Sequence, residues 1–408
     1  MDLENETQPT KDSIDEFFSW TIKKADHRAI STVKSSGVIA KKAVLVFNRH
    51  YVDAHFCYKE LTIQLAKNGY QVDLYYLKGD QEAHFDPSLD IRVYRFGQSA
   101  TELFSFLFRL SGSLFKAHLV VATPQYALHW VYQLKWWSRA RFVCLSDEVY
   151  TDDYSGYSAE QKLLAEFQAK WRKREIKAHQ ACDATIALGL DRYNLVREVN
   201  QLNELHKVFI VPNAPSGTRQ DSGEASNYYR NTFKLTRDQL IVLHSGGLKW
   251  DLMDDLFTLP IKDPKIKVLI QARINHRNIR DQLSDSILLS ENFFPYEDMV
   301  SLTRGADIGL LLYSQENPEE RRNGPTAGKL GLYLAAGLPL IACNLSSFEW
   351  IEDEGCGVLI QHLDQLEEAV NQIKTRYGYY QENAKRVFKS GYEYTKMIQP
   401  FIEWTANG

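Results

Sequence analysis

The sequence predicts an α/β protein made of two Rossmann-like domains. Three observations carry that expectation. First, 408 residues exceed what a single hydrophobic core usually holds. Second, short apolar runs such as KAVLVF at 42–47 and DIGLLLY at 307–313 alternate with helix-like stretches, the pattern of parallel strands buried on both faces. Third, two such series flank a stretch rich in Ser, Gly, Asp and Asn, whose composition is that of a linker.

Residues 1–40 begin as a polar tail. Ser13 and Glu16 form a capping-box pattern for a helix through about Lys24, with Phe17, Phe18, Trp20 and Ile22 on its apolar side. The first domain is expected over 41–215. Its first strand, 42–47, leads into a polar loop, NRHYVDAHF at 48–56, and a helix over 58–68 stopped by Gly69. A second strand follows at 71–77, so the order is that of a right-handed βαβ unit. No G-x-G-x-x-G follows the first strand, which favours an acceptor substrate over a nucleotide in this half.

Further strands are expected at 119–122, 141–145, 183–187 and 208–211, with a long polar helix over 159–182. Trp130, Trp136 and Trp137 lie beside Lys135, Arg139 and Arg141, and Phe104, Phe106, Phe108 and Arg109 precede them. These residues read either as a membrane-surface patch or as core aromatics with solvated cations.

The linker is placed at 216–239 and the second domain at 240–385. Its expected strands are 240–244, 266–271, 287–289, 307–313 and 338–343, with a short helix at 296–305. A terminal helical segment over 386–408 carries aromatics at irregular spacing.

Composition excludes several function classes. A net charge of −4 argues against a general nucleic-acid binder, so no nucleic-acid partner is expected. The five cysteines have no C-x-x-C or metal-finger spacing. They read as reduced, buried thiols in a cytoplasmic protein. No signal peptide and no apolar run long enough to span a membrane is expected.

The chemistry concentrates in NGPTAGKLGLYLAAGLPLIAC, Asn323 to Cys343. Small residues before a helix let backbone N–H groups approach an anion, and the helix dipole favours negative charge there. Thr326 adds a hydroxyl and Lys329 an ammonium; an ordinary loop–helix–strand corner is the competing reading. Gly324 to Lys329 is one residue short of a P-loop, and Leu330 stands where a magnesium-binding hydroxyl belongs. Gly246 and Gly247 after the 240–244 strand, with Lys249 beside them, give backbone room for a phosphate or sugar. Arg321 and Arg322 read either as a diphosphate clamp or as part of a solvated loop.

In the first domain, Asp147 and Glu148 pair two carboxylates at a strand end, where one can deprotonate an acceptor hydroxyl. His50, Asp53 and His55 form a second polar group, assigned to acceptor binding. A zinc reading fails for want of a fourth ligand at metal spacing, so no metal and no cofactor are expected.

The run Lys329-Leu330, then Tyr333-Leu334-Ala335-Ala336-Gly337-Leu338-Pro339-Leu340-Ile341, resembles the donor-binding segment of GT-B-fold nucleotide-sugar-dependent glycosyltransferases, of the group 1 or family 4-like kind. Cys182-Asp183 with Ile186-Ala187, and Val211-Pro212-Asn213 with Pro215, resemble the end of their first domain. The resemblance implies two domains facing a central cleft and a terminal helix crossing back to the first. It implies a donor held by Gly246, Gly247, Lys249, Tyr296, Asn323, Thr326 and Lys329. It also implies a glycan or lipid-linked acceptor, a place in bacterial surface polysaccharide or glycoconjugate assembly, and peripheral contact with the inner membrane face. A functional Glu is implied among Glu316, Glu319 and Glu320. One departure stands out: relatives place a Glu for the donor ribose where this chain has Leu332. That keeps open a catalytically silent partner subunit, beside a nucleotide-sugar epimerase of the same fold.

Overall fold

The computed structural model describes residues 41–79, 82–97, 99–149, 171–217, 224–248, 252–272, 279–316, 321 and 324–407. The expected N-terminal helix and the first part of the expected 159–182 helix lie outside those residues; the described remainder of the latter is helical over 171–180.

Two all-parallel sheets form the frame. The first comprises β1 (Lys41–Phe47), β2 (Tyr70–Leu77), β3 (Ile91–Phe96), β4 (Leu119–Ala122), β5 (Arg141–Ser146), β6 (Ala184–Ala187) and β7 (Lys207–Ile210), in the order β3-β2-β1-β4-β5-β6-β7. The second comprises β8 (Leu240–Ser245), β9 (Ile266–Gln271), β10 (Ile287–Ser290), β11 (Ile308–Leu311), β12 (Leu340–Cys343) and β13 (Gly357–Ile360), in the order β10-β9-β8-β11-β12-β13. Both sheets have the doubly wound order, with a switch point between β1 and β4 and another between β8 and β11. Ligands bind such sheets in the crevice outside the strands' carboxyl ends.

Alternation along β1 shows why the strands read as unbroken apolar runs. Val44 and Val46 pack under the Ala100–Phe115 and Tyr126–Leu134 helices. Ala43, Leu45 and Phe47 pack with the Phe56–Lys67 helix and the chain's end. Two strands went unread in the sequence. In β3, Arg92 and Arg95 interrupt the apolar pattern because it is an edge strand, exposed along much of one side. In β13 the strand is only four residues long, at the opposite kind of edge.

The expected linker divides. Its second half folds as the Glu224–Thr232 helix, which buries Tyr229 in the core of the second domain and pairs Arg230 with Asp307 at 2.8 Å. The chain's end returns to the first domain. Tyr394, Ile398, Phe401 and Ile402 join the first domain's core, and the Tyr394 hydroxyl donates to the Cys57 carbonyl at 3.2 Å. Arg141 lies over the Trp404 ring at 4.2 Å.

The aromatic group around 104–141 also divides. Phe106 is core and Trp130 half-buried, both packed on Phe96. Phe104, Phe108 and Trp136 are exposed. Lys135 donates to the Ala181 carbonyl at 2.8 Å.

The domains meet through glycines of the Gly328–Ala336 helix. A Cβ on Gly331 would stand 2.5 Å from the Ala214 Cβ and 2.7 Å from the Asn213 carbonyl, and one on Gly328 would stand 3.1 Å from the Phe56 ring. Asn213 accepts from the Cys57 N–H at 3.1 Å, so it caps the start of the Phe56–Lys67 helix. From that helix, Glu60 accepts from the Ser216 N–H at 2.8 Å and from the Tyr296 hydroxyl of the second domain. No shift of a few tenths of an ångström relieves a Cβ placed against backbone at Gly331. Gly331→Ala is therefore expected to cost about 1–3 kcal/mol of stability, read by urea denaturation. A variant as stable as the parent would show that the seam is loosely packed.

Candidate functional site at the seam between the sheets

The site is built where the strands' carboxyl ends converge. β1 ends on a loop pinned by a hydrogen bond from the Asn48 N–H to Thr123 Oγ1, 2.8 Å, across the switch point. That loop delivers Arg49. β5 ends on Asp147 and Glu148. The Arg49 guanidinium meets Asp147 Oδ2 at 3.0 Å through Nη2 and 3.2 Å through Nε, and Glu148 Oε2 at 2.5 Å. The Tyr58 hydroxyl donates to the same Asp147 oxygen. Burial, with the Asp147 charge second, pushes the Tyr58 phenol well above its usual range, so it stays a donor. Of the two carboxylates Asp147 is the enclosed one, 10% exposed against 40% for Glu148. Asp147 orients Arg49 and Tyr58, and Glu148 has the open face.

Arg192 joins the two domains. It lies in the first turn of the Leu190–Val199 helix after β6, and it is buried. One guanidinium nitrogen donates to the Asp147 carbonyl at 2.8 Å; another donates to Thr326 Oγ1 at 2.5 Å. Gly189, just before that helix, lies close to Thr326, whose Cγ2 would be 3.4 Å from a Cβ there.

In the second domain, Gly324–Thr326 makes a single tight turn and the helix starts at Gly328. Its end is a Schellman motif around Gly337, at φ 73°, with Leu338 N–H on the Tyr333 carbonyl and Gly337 N–H on the Leu334 carbonyl. The helix is fixed beneath β8 and β11. The Tyr333 hydroxyl accepts from the Ser245 N–H at 2.7 Å, and Gly309 leaves room for the Tyr333 ring, which a Cβ would strike at 2.5 Å.

That packing carries Lys329 to the second switch point. Its ammonium stands 4.8 Å over the Tyr313 ring, just past β11. It also lies 3.7 Å from the place a Gly246 Cβ would occupy, just past β8. Gly246 has φ 140°, a backbone that side-chain-bearing residues rarely adopt. The neighbouring His244 ring is fully buried. Burial first, then the Lys329 charge, hold its pKa well below the ordinary histidine range, so it is neutral at pH 7.

The predicted residues separate in the structure. Asp147, Glu148 and Thr326 are joined by the arginines, and Gly246 and Lys329 stand together at the second switch point, with Gly247 beside them exposed. Tyr296 is buried against Phe56, and its hydroxyl donates to Glu60. That ring is a contact between domains rather than an open stacking face. Asp53 pairs with the buried Lys59 at 2.8 Å and accepts from the His84 N–H. His50 Nδ1 bonds the Lys78 carbonyl at 2.7 Å, and His55 lies 5.0 Å from the Tyr58 ring. His55 is thus the one of the three that adjoins the Asp147 group. Lys249, Asn323, Arg322, Glu319 and Glu320 lie outside the described residues, whereas Arg321 and Glu316 are exposed. Among the described residues no cluster of three His, Cys, Asp or Glu side chains is arranged to hold a metal ion.

Sequence reasoning passed over Arg49, Tyr58, Arg192 and His244. Arg49 had a signal, a cation directly after the first strand at a switch point. Arg192 had none, because only the tertiary approach of Thr326 gives it a partner.

Residues 267–399 match the family model described as glucosyltransferase 3-like, C-terminal domain. No curated protein matches the chain. Among solved structures, HepE from Anabaena in complex with UDP and glucose is 14% identical, with a TM-score of 0.66 over 90% of this chain and 100% of that one. Sucrose-phosphate synthase from Thermosynechococcus elongatus is 14% identical, with a TM-score of 0.62 over the same shares. The α,α-trehalose 6-phosphate synthase of Burkholderia multivorans is 10% identical, with a TM-score of 0.58 over 90% and 99%. The likeness to these structures is one of fold. With the family match it bears out the expectation of a GT-B fold and a sugar-transferring enzyme.

His244 yields a pH prediction. Its folded pKa is depressed, so below about pH 6.5 the unfolded chain takes up a proton that the folded one refuses. Stability from this group is therefore full above pH 6.5 and is lost as the pH falls. Denaturation at pH 7.5, 6 and 5 should show the parent losing stability faster than His244→Gln, by up to about 1.4 kcal/mol per pH unit. Parallel profiles would contradict the assignment.

Proposed function

We propose that this protein transfers a sugar from a UDP-sugar to a hydroxyl of a glycan or lipid-linked acceptor, without a metal ion, in the assembly of a bacterial surface polysaccharide or glycoconjugate. The observation that carries the reading is the position of Lys329, an ammonium between the carboxyl ends of β8 and β11, beside a glycine turn and one residue into a helix. A diphosphate in that crevice meets a cation at the start of a helix, whose dipole favours an anion there. Support for uridine comes from HepE, solved with UDP, with UDP-glucose, and with UDP and glucose.

As the bond from the sugar to the diphosphate breaks, charge grows on the leaving phosphate. Lys329 and the helix N–H groups then bind it more strongly than they bind the ground state. Arg192 holds the Thr326 hydroxyl and the Asp147 backbone at once, so it registers the donor loop against the acceptor side. There, Glu148 has the more open carboxylate, and it takes the acceptor proton if the transfer inverts configuration. Asp147 fixes Arg49 and Tyr58 around it.

Leu332 favours one rival. It is buried in the second domain's core, so no carboxylate occupies the position that would hold a donor ribose. A silent partner subunit would keep the fold and bind no donor. The epimerase alternative has no support in the structures named above.

Thermal shift with UDP, GDP, ADP, CMP and their sugars separates these readings, because a ligand that binds only the folded state raises its melting temperature. UDP and one UDP-sugar should stabilise the parent, and Lys329→Ala should weaken that binding roughly 10- to 100-fold, the worth of a charge-assisted hydrogen bond. No response to any nucleotide would favour the silent subunit. Release of UDP from a UDP-sugar should fall in Glu148→Gln, with donor binding retained.

A further inference from the structure

We infer that the first domain carries a second ligand site, at the starting ends of its strands, for a small soluble molecule bearing a phosphate monoester. The observation is a polar cavity where the fold calls for core. Alternation along the strands sends Val44 and Val46 of β1, Leu77 of β2 and Phe96 of β3 into the core beneath the Ala100–Phe115 helix. The same alternation places Lys42 before Val44, Asp73 and Tyr75 before Leu77, and Arg92 and Tyr94 before Phe96. The registers Lys42↔Gln71 and Asp73↔Arg92 bring these polar residues side by side. Arg109 and Ser113 of the helix, with Lys116 just after it, line the other side of a cavity of about 340 Å³. That volume lies within the range of small-molecule sites. A sheet face under a helix is ordinarily apolar, so polar groups gathered there call for a partner.

Charge identifies the partner. The single carboxylate lining the cavity, Asp73, is 1% exposed and is met by Lys42 at 2.5 Å and by the Ser113 hydroxyl at 2.6 Å. The Ser113 proton is thereby committed, so the Tyr75 hydroxyl donates to Ser113 Oγ at 2.8 Å. Among the described residues no carboxylate forms an ion pair with Arg92, Arg109 or Lys116. Three such cations beside a carboxylate already paired, in a protein of net charge −4, select an anion. Two guanidinium groups suit the oxygens of a phosphate dianion. Burial, with the Asp73 charge second, raises the Tyr94 phenol above its usual range, so it stays a hydroxyl donor. Its ring, stacked on Tyr75 at 4.7 Å, gives the cavity an aromatic wall for the carbon skeleton of a sugar or polyol phosphate.

Gly112 adds an independent sign. It lines the cavity from the interior of the helix, where glycine is disfavoured. A Cβ there would meet nothing within 4 Å, so packing does not require the glycine. The space it leaves open belongs to the cavity.

The cavity and the seam are separate. Lys42, Gln71 and Arg92 stand at the starts of β1, β2 and β3, whereas Arg49 and Asp147 follow the finishing ends of β1 and β5. The inference therefore stands whether or not the sugar-transfer reading does.

Isothermal titration calorimetry of the full-length protein tests it, with inorganic phosphate and glucose 6-phosphate as probes. Glucose and sodium chloride at matched ionic strength are the controls. The parent should bind glucose 6-phosphate saturably and glucose not at all. Arg109→Ala with Lys116→Ala should weaken that binding about 10- to 100-fold, as loss of charge-assisted hydrogen bonds does. Both side chains are exposed, so the melting temperature should hold. Gly112→Leu should fill the cavity and abolish binding without lowering the melting temperature, and Lys329→Ala should bind as the parent does. Absence of saturable binding by either phosphate probe overturns the inference. So does binding that Lys329→Ala removes and the other two variants keep, which would put the phosphate at the seam. Sedimentation with phosphatidylglycerol vesicles, without any response to the soluble probes, would also overturn it by assigning the cations to a lipid headgroup.

Discussion

The arrangement of this molecule depends on how closely one helix approaches one turn of backbone. Gly331, in the helix after the donor loop, lies against Ala214 and the Asn213 carbonyl with no room for a Cβ. That contact fixes the second domain to the end of the first. Asn213 ties the same turn to the Phe56–Lys67 helix, and Glu60 of that helix holds Ser216 and Tyr296. Asn213, Ser216, Glu60 and Tyr296 thereby each have a defined partner, as buried polar groups between domains require. The consequence for the site is registration. Thr326 and Lys329 flank the start of the packed helix, so the contact that joins the domains also aims the donor loop.

Charge at the seam follows the same economy. Arg49 meets two carboxylates, and Tyr58 adds a hydroxyl to the more enclosed of them. A carboxylate held by a guanidinium and a phenol is oriented rather than free, which suits it to position its neighbours. On the other side Lys329 stands over a tyrosine ring beside a neutral histidine. An ammonium whose ring neighbour is kept uncharged leaves its field directed toward the crevice, where an anionic ligand would increase its stabilisation. The Arg192 bridge hydrogen-bonds the Asp147 backbone to the Thr326 hydroxyl, three residues before Lys329.

The sequence disclosed the frame better than the site. Apolar runs such as 42–47 and 307–313 announce parallel strands because both faces are buried, and Gly337 with Pro339 announces a helix stop by its chirality and its missing donor. The edge strands β3 and β13 were harder, since an edge admits arginines and needs few residues. The donor loop was legible because its chemistry is local: small residues, a hydroxyl and a cation within seven positions of a strand-helix corner. Arg192 and Tyr58 were not, because their partners lie 134 and 89 positions away. Tyr296 illustrates the same limit of local sequence. An aromatic near the right strand end suits a base, but Glu60 and Phe56 from the other domain had prior use of it, and nothing in the local sequence says so.

The central claim is that a nucleoside diphosphate binds at the second switch point, between the β8 turn and the start of the Gly328–Ala336 helix. Hydrogen–deuterium exchange with and without UDP tests it at the level of the backbone. The account predicts slowed exchange in peptides covering 245–248 and 326–331 together, with the Ala100–Phe115 helix unchanged. Protection elsewhere with none at these two segments would contradict it.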